Sequence, residues 1–387
     1  MGRGECVDTS SVPHKGPSHI PRNHGSFHRV SCYRRAPNRR APVSLARRQS
    51  VQRFASSTTR DYRYYSCLRA RRKHIDGGHR GEHQDAEQWL GRMYFSPAMS
   101  PRIVHLDFKG APLKVQYLDQ VLESIRQWGA TGVLLEWEDT FPYSGELSII
   151  GSKENCNGDH MYTMDEVQQI LQAIKSKGLE PIQLVQTIGH MEFVLKHPAF
   201  RELREEPRSP AVLCPTKPKS LHLVKAMIQN ALDAQPDAKY FHIGADEVFI
   251  LFEHKATSLF LDHIKDLLIF LKMQRPKMNV LMWDDMLRAI GFEVLEKSNI
   301  GKLVEPVVWN YNVAEHFFVG GELWRNYRIF PKVWAASAFK GANGSCQVLY
   351  IIILNINNII STDSLRHVQA NADRANFTGV ILTGWSR

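Results

Sequence analysis

From residue 101 onward, short apolar runs alternate with longer amphipathic ones, and that order predicts a repeated strand-then-helix unit. Arg102 to Phe108 reads as a strand, and Leu113 to Trp128 has helical spacing. Thr131 to Trp137 is the second strand. A loop with Pro142 and Gly145 leads to a helix from Thr163 to Lys177, opened by a Thr163-x-x-Glu166 capping box and closed by Gly178. Glu180 to Gln186 forms the third strand, and a long connection carrying the helix-like Ser220 to Asp233 precedes the fourth, which starts at Tyr240. Lys255 to Gln274 is a helix stopped by Pro276. Asn279 to Trp283, Leu303 to Trp309, Ile329 to Ala335 and Thr378 to Trp385 supply strands five to eight.

Strands this apolar are buried on both faces, as parallel sheets require. Eight of them with intervening helices predict an α/β fold, a (β/α)8 TIM barrel over residues 101–387, near the length of about 250 residues that such a barrel takes. An open doubly wound sheet is the competing arrangement. Against it, no Gly-x-Gly-x-x-Gly follows any strand. The chain ends at Arg387 directly after the eighth strand, so the expectation is a barrel lacking its last helix.

Charge changes the picture only at one end. The formal charge of the whole is +10, yet residues 1–100 hold 17 Arg and 2 Lys against 4 Asp and 3 Glu, while the remainder carries 30 basic and 32 acidic residues. The basic segment is rich in Arg, Ser, His, Pro and Gly without apolar periodicity, so residues 1–100 are expected to be a disordered extension. Its composition also matches a mitochondrial transit peptide, the alternative to a cytoplasmic location. Tyr62, Tyr64 and Tyr65 among arginines match no nucleic-acid module, so no nucleic acid is expected as partner. No apolar stretch follows the N-terminal charges to make a secretory signal, and the longest apolar run, Val348 to Ile360, is too short to span a bilayer. The cysteines Cys6, Cys32, Cys67, Cys156, Cys214 and Cys346 show no C-x-x-C spacing, so a reduced compartment and no structural zinc are expected. Asn343 and Asn376 begin glycosylation sequons, which carry little meaning without secretion.

The candidate chemistry centres on Tyr240-Phe241-His242-Ile243-Gly244-Ala245-Asp246-Glu247-Val248. Successive strand side chains point to opposite faces, so Asp246 and Glu247 can share one hollow only if the strand has ended and Gly244 has bent the chain. The C-terminal ends of barrel strands are where that fold places catalytic groups. A second acid pair, Asp165-Glu166, serves as a control: it sits in the capping box, where acids offset the helix dipole, and is read as structural. His242, inside the strand, is read as a buried hydrogen-bonding group.

The other strand ends follow suit. Asp107 and Lys109 follow the first strand, Glu136, Glu138 and Asp139 the second, and Gln186, His190 and Glu192 the third. Trp283, Asp284 and Asp285 close the fifth, Trp309, Asn310 and Tyr311 the sixth, Trp334 the seventh and Trp385 the eighth. Each Trp by itself fits a core position. Their recurrence at one rim, among carboxylates, fits a pocket that stacks the C–H face of a sugar and binds its hydroxyls.

His242-Ile243-Gly244-Ala245-Asp246-Glu247 resembles the His-x-Gly-x-Asp-Glu signature of family 20 glycoside hydrolases, the β-N-acetylhexosaminidases. Segments Val104 to Pro112, Leu184 to His197, Trp283 to Arg288, Trp334 to Gly341 and Ile381 to Trp385 resemble an intracellular branch of that family in the same order, over about 101–346 and 377–387. The resemblance implies an exo-acting enzyme of the cytoplasm, and of the nucleus, that removes terminal N-acetylgalactosamine or N-acetylglucosamine from glycans without metal or cofactor. In that family the substrate's own 2-acetamido oxygen attacks C1, so no enzyme nucleophile is needed. Glu247 would then be the general acid and later the base, and Asp246 would hold the acetamido group. Trp283, Trp309, Trp334 and Trp385 would wall the pocket, Tyr311 would bond the acetamido carbonyl, and Asp284, His190 and Lys109 would be polar residues of the pocket or of the layer behind it. The resemblance implies neither a membrane nor an oligomeric state.

Three departures from the family pattern stand out: the arginine-rich leader, the Ile/Asn-rich Gln347 to Ile360, and the end at Arg387. Two other readings compete. A truncated barrel would bind sugar or a partner without turnover, since a missing helix wets apolar surface worth about 25 cal/mol per Å². A conventional two-carboxylate glycosidase would use Glu247 as acid and Glu136, Glu138 or Asp284 as nucleophile.

Overall fold

The computed structural model describes residues 101–110, 112–151, 161–248, 256–311, 320–340, 342 and 375–386. Residues 1–100, the Val348 to Ile360 run, the Asn343 sequon and all cysteines but Cys214 lie outside the described residues.

Eight parallel strands close into a barrel in chain order. They are β1 (Arg102–Asp107), β2 (Gly132–Glu136), β3 (Glu180–Leu184), β4 (Tyr240–His242), β5 (Asn279–Trp283), β6 (Glu305–Trp309), β7 (Val333–Lys340) and β8 (Phe377–Gly384). β1 pairs with β2 on one side and with β8 on the other, where Arg102 opposes Val380 and Val104 opposes Leu382. The predicted TIM barrel is therefore the observed fold.

Amphipathic helices cover the strands. α1 (Val115–Gln127) buries Leu118, Leu122 and Ile125, a stripe at helical spacing. α2 (Met164–Ser176) opens with its capping box closed in both directions: Glu166 N–H donates to Thr163 Oγ1 at 3.2 Å and Thr163 N–H to Glu166 Oε2 at 2.8 Å. The acid pair at 165 and 166 is structural, as read. α3 (Pro218–Ala234) starts on a proline, whose missing N–H costs nothing in the first turn, and α4 (Ala256–Gln274) buries Phe260, Ile264, Leu267, Leu268 and Leu271. Among the described residues, no helix is long and apolar enough to cross a membrane.

The strand alternation sorts the apolar side chains into two cores. The larger lies between sheet and helices, with Val104, Val133, Leu135, Phe241, Val280 and Met282 facing outward. The smaller fills the barrel, with Ile103, Leu134, Ile182, Leu281, Val307, Trp334 and Ile381. This period of two makes the inward column of each strand end in a rim residue.

One strand differs from its prediction. Periodicity placed the seventh at Ile329 to Ala335, whereas β7 runs Val333–Lys340. Tyr327–Ile329 forms a 3-10 turn, the Phe330 ring packs on Tyr327 with centroids 5.4 Å apart, and Pro331 delays the strand. Trp334 therefore begins β7 instead of ending it.

Candidate active site

β4 stops at His242, whose neutral ring accepts the Gly244 N–H on Nδ1 at 3.0 Å. Burial pushes the His242 imidazole down to about 3, so it serves as a fixed acceptor and not as an acid. The chain then turns through left-handed backbone at Gly244 (φ 62), Ala245 (φ 69) and Glu247 (φ 50). For the two non-glycine residues this conformation costs about 1–2 kcal/mol each. Neighbouring strands hold the turn in place. Val185 N–H donates to the His242 carbonyl at 3.0 Å, Trp283 N–H to the Gly244 carbonyl at 3.0 Å, and Glu247 N–H to Asp285 Oδ2 at 2.8 Å. A Cβ on Gly244 would stand 2.0 Å from Gln186 Oε1 and force that side chain to shift, and the positive φ itself favours glycine.

The turn makes the adjacent acids converge. His190 Nε2 lies 3.4 Å from Asp246 Oδ2 and 3.3 Å from Glu247 Oε2. Burial pulls the His190 imidazole down, but its hydrogen bond to Asp246 and the charges of Asp246, Glu136 and Glu247 outweigh that and lift it to about 9. A protonated imidazole thus lies within reach of both acid side chains. Asp246 is buried, and its Oδ1 meets no donor among the described residues. Glu247 is the more exposed of the two, with 30% of its side chain accessible.

Beneath the acids runs a buried polar row. His105 Nε2 is 3.0 Å from Glu136 Oε2, and Gln186 Nε2 donates to Glu136 Oε1 at 3.1 Å. Burial opposes the Glu136 charge, but the His105 contact, Lys109 and Gln186 hold the carboxylate ionised. At the β1 and β2 ends, Lys109 Nζ donates to Glu138 Oε1 at 2.6 Å. Burial first, then Glu136 and Asp107, raise Glu138 to about 8 in spite of the lysine. Asp107 ties β1 to the residues after β8 by accepting the Ser386 N–H at 2.7 Å.

The aromatic side is continuous. Trp283 and Trp385 have ring centroids 5.8 Å apart, Trp385 and Tyr311 6.5 Å, and Tyr311 stacks on Trp309 at 4.9 Å. Arg288 lies over the Trp309 ring at 5.0 Å. Trp283 Nε1 is buried and meets no acceptor among the described residues. No group of three or more His, Cys, Asp or Glu side chains among them could hold a metal ion.

No family model matches the chain. Over 300 residues it is 41% identical to Hexosaminidase D of Bos taurus, covering 74% of this chain and 84% of that protein. The chain belongs to the hexosaminidase D family. It is also 40% identical to Hexosaminidase D of Homo sapiens over 300 residues, where the match spans only 60% of the relative's length. Among solved structures, the β-N-acetylhexosaminidase from Bacteroides fragilis aligns with a TM-score of 0.56 at 16% identity, over 74% of this chain and 61% of that one. The family 20 β-N-acetylhexosaminidase from Streptomyces coelicolor gives 0.55 at 13%, over 75% and 59%. At that identity these two structures bear on the fold, which they share.

The site corrects the sequence-based assignment at Trp334. Trp334 is not at the rim: its indole N–H donates to Glu305 Oε2 at 2.7 Å and its ring meets Tyr240 edge-on at 5.7 Å, and both partners begin their strands. It plugs the N-terminal end of the barrel because β7 starts late. Asp284 takes the second of its two expected places, in the layer behind the site. It is 0% exposed and accepts from Arg288 Nε at 2.7 Å, Arg288 Nη2 at 2.6 Å, Tyr327 OH at 3.0 Å and Trp309 N–H at 3.2 Å. Asp285, which the sequence reading left without a role, faces the acids instead. Of the remaining expected residues, His190 joins Asp246 and Glu247, Trp283, Trp309, Tyr311 and Trp385 form the aromatic side, and Lys109 pairs with Glu138 at the β1 side.

Proposed function

We propose that the chain is an exo-acting β-N-acetylhexosaminidase that cleaves terminal N-acetylgalactosamine or N-acetylglucosamine with retention, by substrate assistance. The observation that carries this is the convergence of Asp246 and Glu247 on His190 Nε2, at 3.4 and 3.3 Å. Both acids then serve one substrate from one side of the site. The buried Asp246 Oδ1, with no donor of its own among the described residues, supplies an acceptor for the acetamido N–H. Tyr311, whose hydroxyl burial keeps protonated, supplies a donor for the acetamido carbonyl side.

In this reading the acetamido oxygen attacks C1 while Glu247 gives its proton to the glycosidic oxygen, and the C1–O bond breaks. Asp246 holds the acetamido nitrogen and stabilises positive charge on the oxazolinium ring. Glu247, now a carboxylate, takes a proton from water as the water oxygen attacks C1, which restores the acetamido group and the acid. His190 carries a proton within reach of Glu247 throughout. Trp283 and Trp385 lie at the sugar face. The setting of the enzyme in this reading is the cytoplasm or nucleus.

The two-carboxylate alternative finds less support. Glu136 is bound at both oxygens by His105 and Gln186, and Asp284 is held by Arg288 and Tyr327, so neither is free to form a bond to C1. A thiazoline mimic of the acetamido intermediate separates the two mechanisms. Competitive inhibition of p-nitrophenyl N-acetylhexosaminide hydrolysis, with the β-anomer formed first by NMR, is the expected result. Hydrolysis untouched by the thiazoline would point to an enzyme nucleophile, and a folded chain without turnover would point to a binding role.

A further inference from the structure

Asp285 opens the one-turn helix Asp285–Arg288 after β5 and takes a different N–H on each carboxylate oxygen. Glu247 N–H donates to Oδ2 at 2.8 Å, and the Trp309 indole N–H donates to Oδ1 at 3.2 Å. One side chain therefore joins the turn after β4 to the aromatic residue at the end of β6. The first of these bonds falls on a residue with φ 50, a backbone that relaxes unless something fixes it. The second fixes the ring on which Tyr311 stacks at 4.9 Å. Its sequence neighbour Asp284 anchors the Trp309 backbone N–H from below at 3.2 Å, so Trp309 is held at both backbone and ring.

We propose that Asp285 is a positioning residue, which locks the Glu247 backbone and the Trp309 ring into one rigid unit so that the acid's proton is delivered in line to the leaving oxygen. This rests on reading Glu247 as the general acid of a hexosaminidase. The chemistry of the carboxylate makes the role specific. Two oxygens accept two N–H donors, whereas an amide offers one acceptor and one donor, so Asp285→Asn leaves an N–H facing an N–H whichever way it turns. Trp309→Phe deletes one of the donors. In that background the amide can aim its oxygen at Glu247 N–H and the conflict disappears.

The test measures kcat and KM of the 387-residue chain for four proteins: native, Asp285→Asn, Trp309→Phe and the double variant. Each is assayed on a p-nitrophenyl and on an alkyl β-N-acetylhexosaminide. An alkoxide is a poor leaving group and depends on protonation more than p-nitrophenolate does. Asp285→Asn is expected to lower kcat on the alkyl glycoside roughly tenfold or more, and less on the p-nitrophenyl one, with KM unchanged. In the Trp309→Phe background the same change is expected to cost roughly threefold or less. A thermal midpoint within about 4 °C of native keeps the comparison between folded proteins. If Asp285→Asn alone does not fold, the double variant carries the test, and folding with turnover near that of Trp309→Phe supports the role. Native turnover with Asp285→Asn undiminished, or with equal losses in both backgrounds and on both substrates, overturns the role and leaves the hexosaminidase reading standing. A native chain that hydrolyses neither glycoside overturns both.

Discussion

His190 Nε2 lies 3.3 Å from Glu247 Oε2. The same nitrogen is 3.4 Å from Asp246 Oδ2, and the imidazole is lifted to about 9, chiefly by Asp246 working against burial. A folded-state value above the ordinary one near 6.5 adds stability that is complete below pH 6.5 and is lost as pH rises through 9. With 27% of the ring exposed and solvent screening discounted, the contribution is on the order of 2 kcal/mol. Urea unfolding at pH 6 and pH 9.5 should show the native protein losing about that much more stability than His190→Gln over the interval. Equal losses in the two proteins would mean that His190 is not the held cation.

Gly189 tests how tightly the acid turn is packed. A Cβ there would stand 2.1 Å from the Asp246 carbonyl oxygen, a backbone atom that cannot swing aside. Gly189→Ala should cost about 1–3 kcal/mol of stability and, by displacing Asp246, lower kcat by roughly an order of magnitude or more. Gly291→Ala is the control, since nothing lies within 4 Å of its added carbon. Calorimetry beside steady-state kinetics on both variants checks the pair.

Trp334 separates the two ends of the barrel. Its indole N–H is the donor that Glu305 Oε2 receives at 2.7 Å, far in the chain's path from the acid turn. Trp334→Phe should lower stability by about 1–3 kcal/mol by stripping that buried contact and leave KM for an N-acetylhexosaminide unchanged. A raised KM with an unchanged melting temperature would return Trp334 to the sugar-binding wall.

The barrel was legible because its strands are short, mainly apolar runs set between amphipathic helices, one of them capped at Thr163 and closed at Gly178. The acid pair was legible because two carboxylates after a glycine at a strand's end have no local use, unlike the pair at 165 and 166. Side-chain direction was not. Whether Asp284 or Asp285 faces the acids depends on Arg288 one turn onward and on Tyr327, which captures Asp284 from another element. The start of β7 depends on the 3-10 turn Tyr327–Ile329, which takes up apolar residues that read equally well as strand. His190 was named as a candidate, but its place between the two acids comes from its own left-handed backbone, φ 53, and from tertiary packing.

The central claim is that Glu247 transfers the proton. Glu247→Gln keeps shape and hydrogen bonds while removing the acid, and the decisive measurement is kcat of that variant of the 387-residue chain on an alkyl β-N-acetylhexosaminide. A fall of about 10²–10⁴-fold, with the melting temperature kept, is the predicted result. Turnover equal to that of the native chain would contradict it.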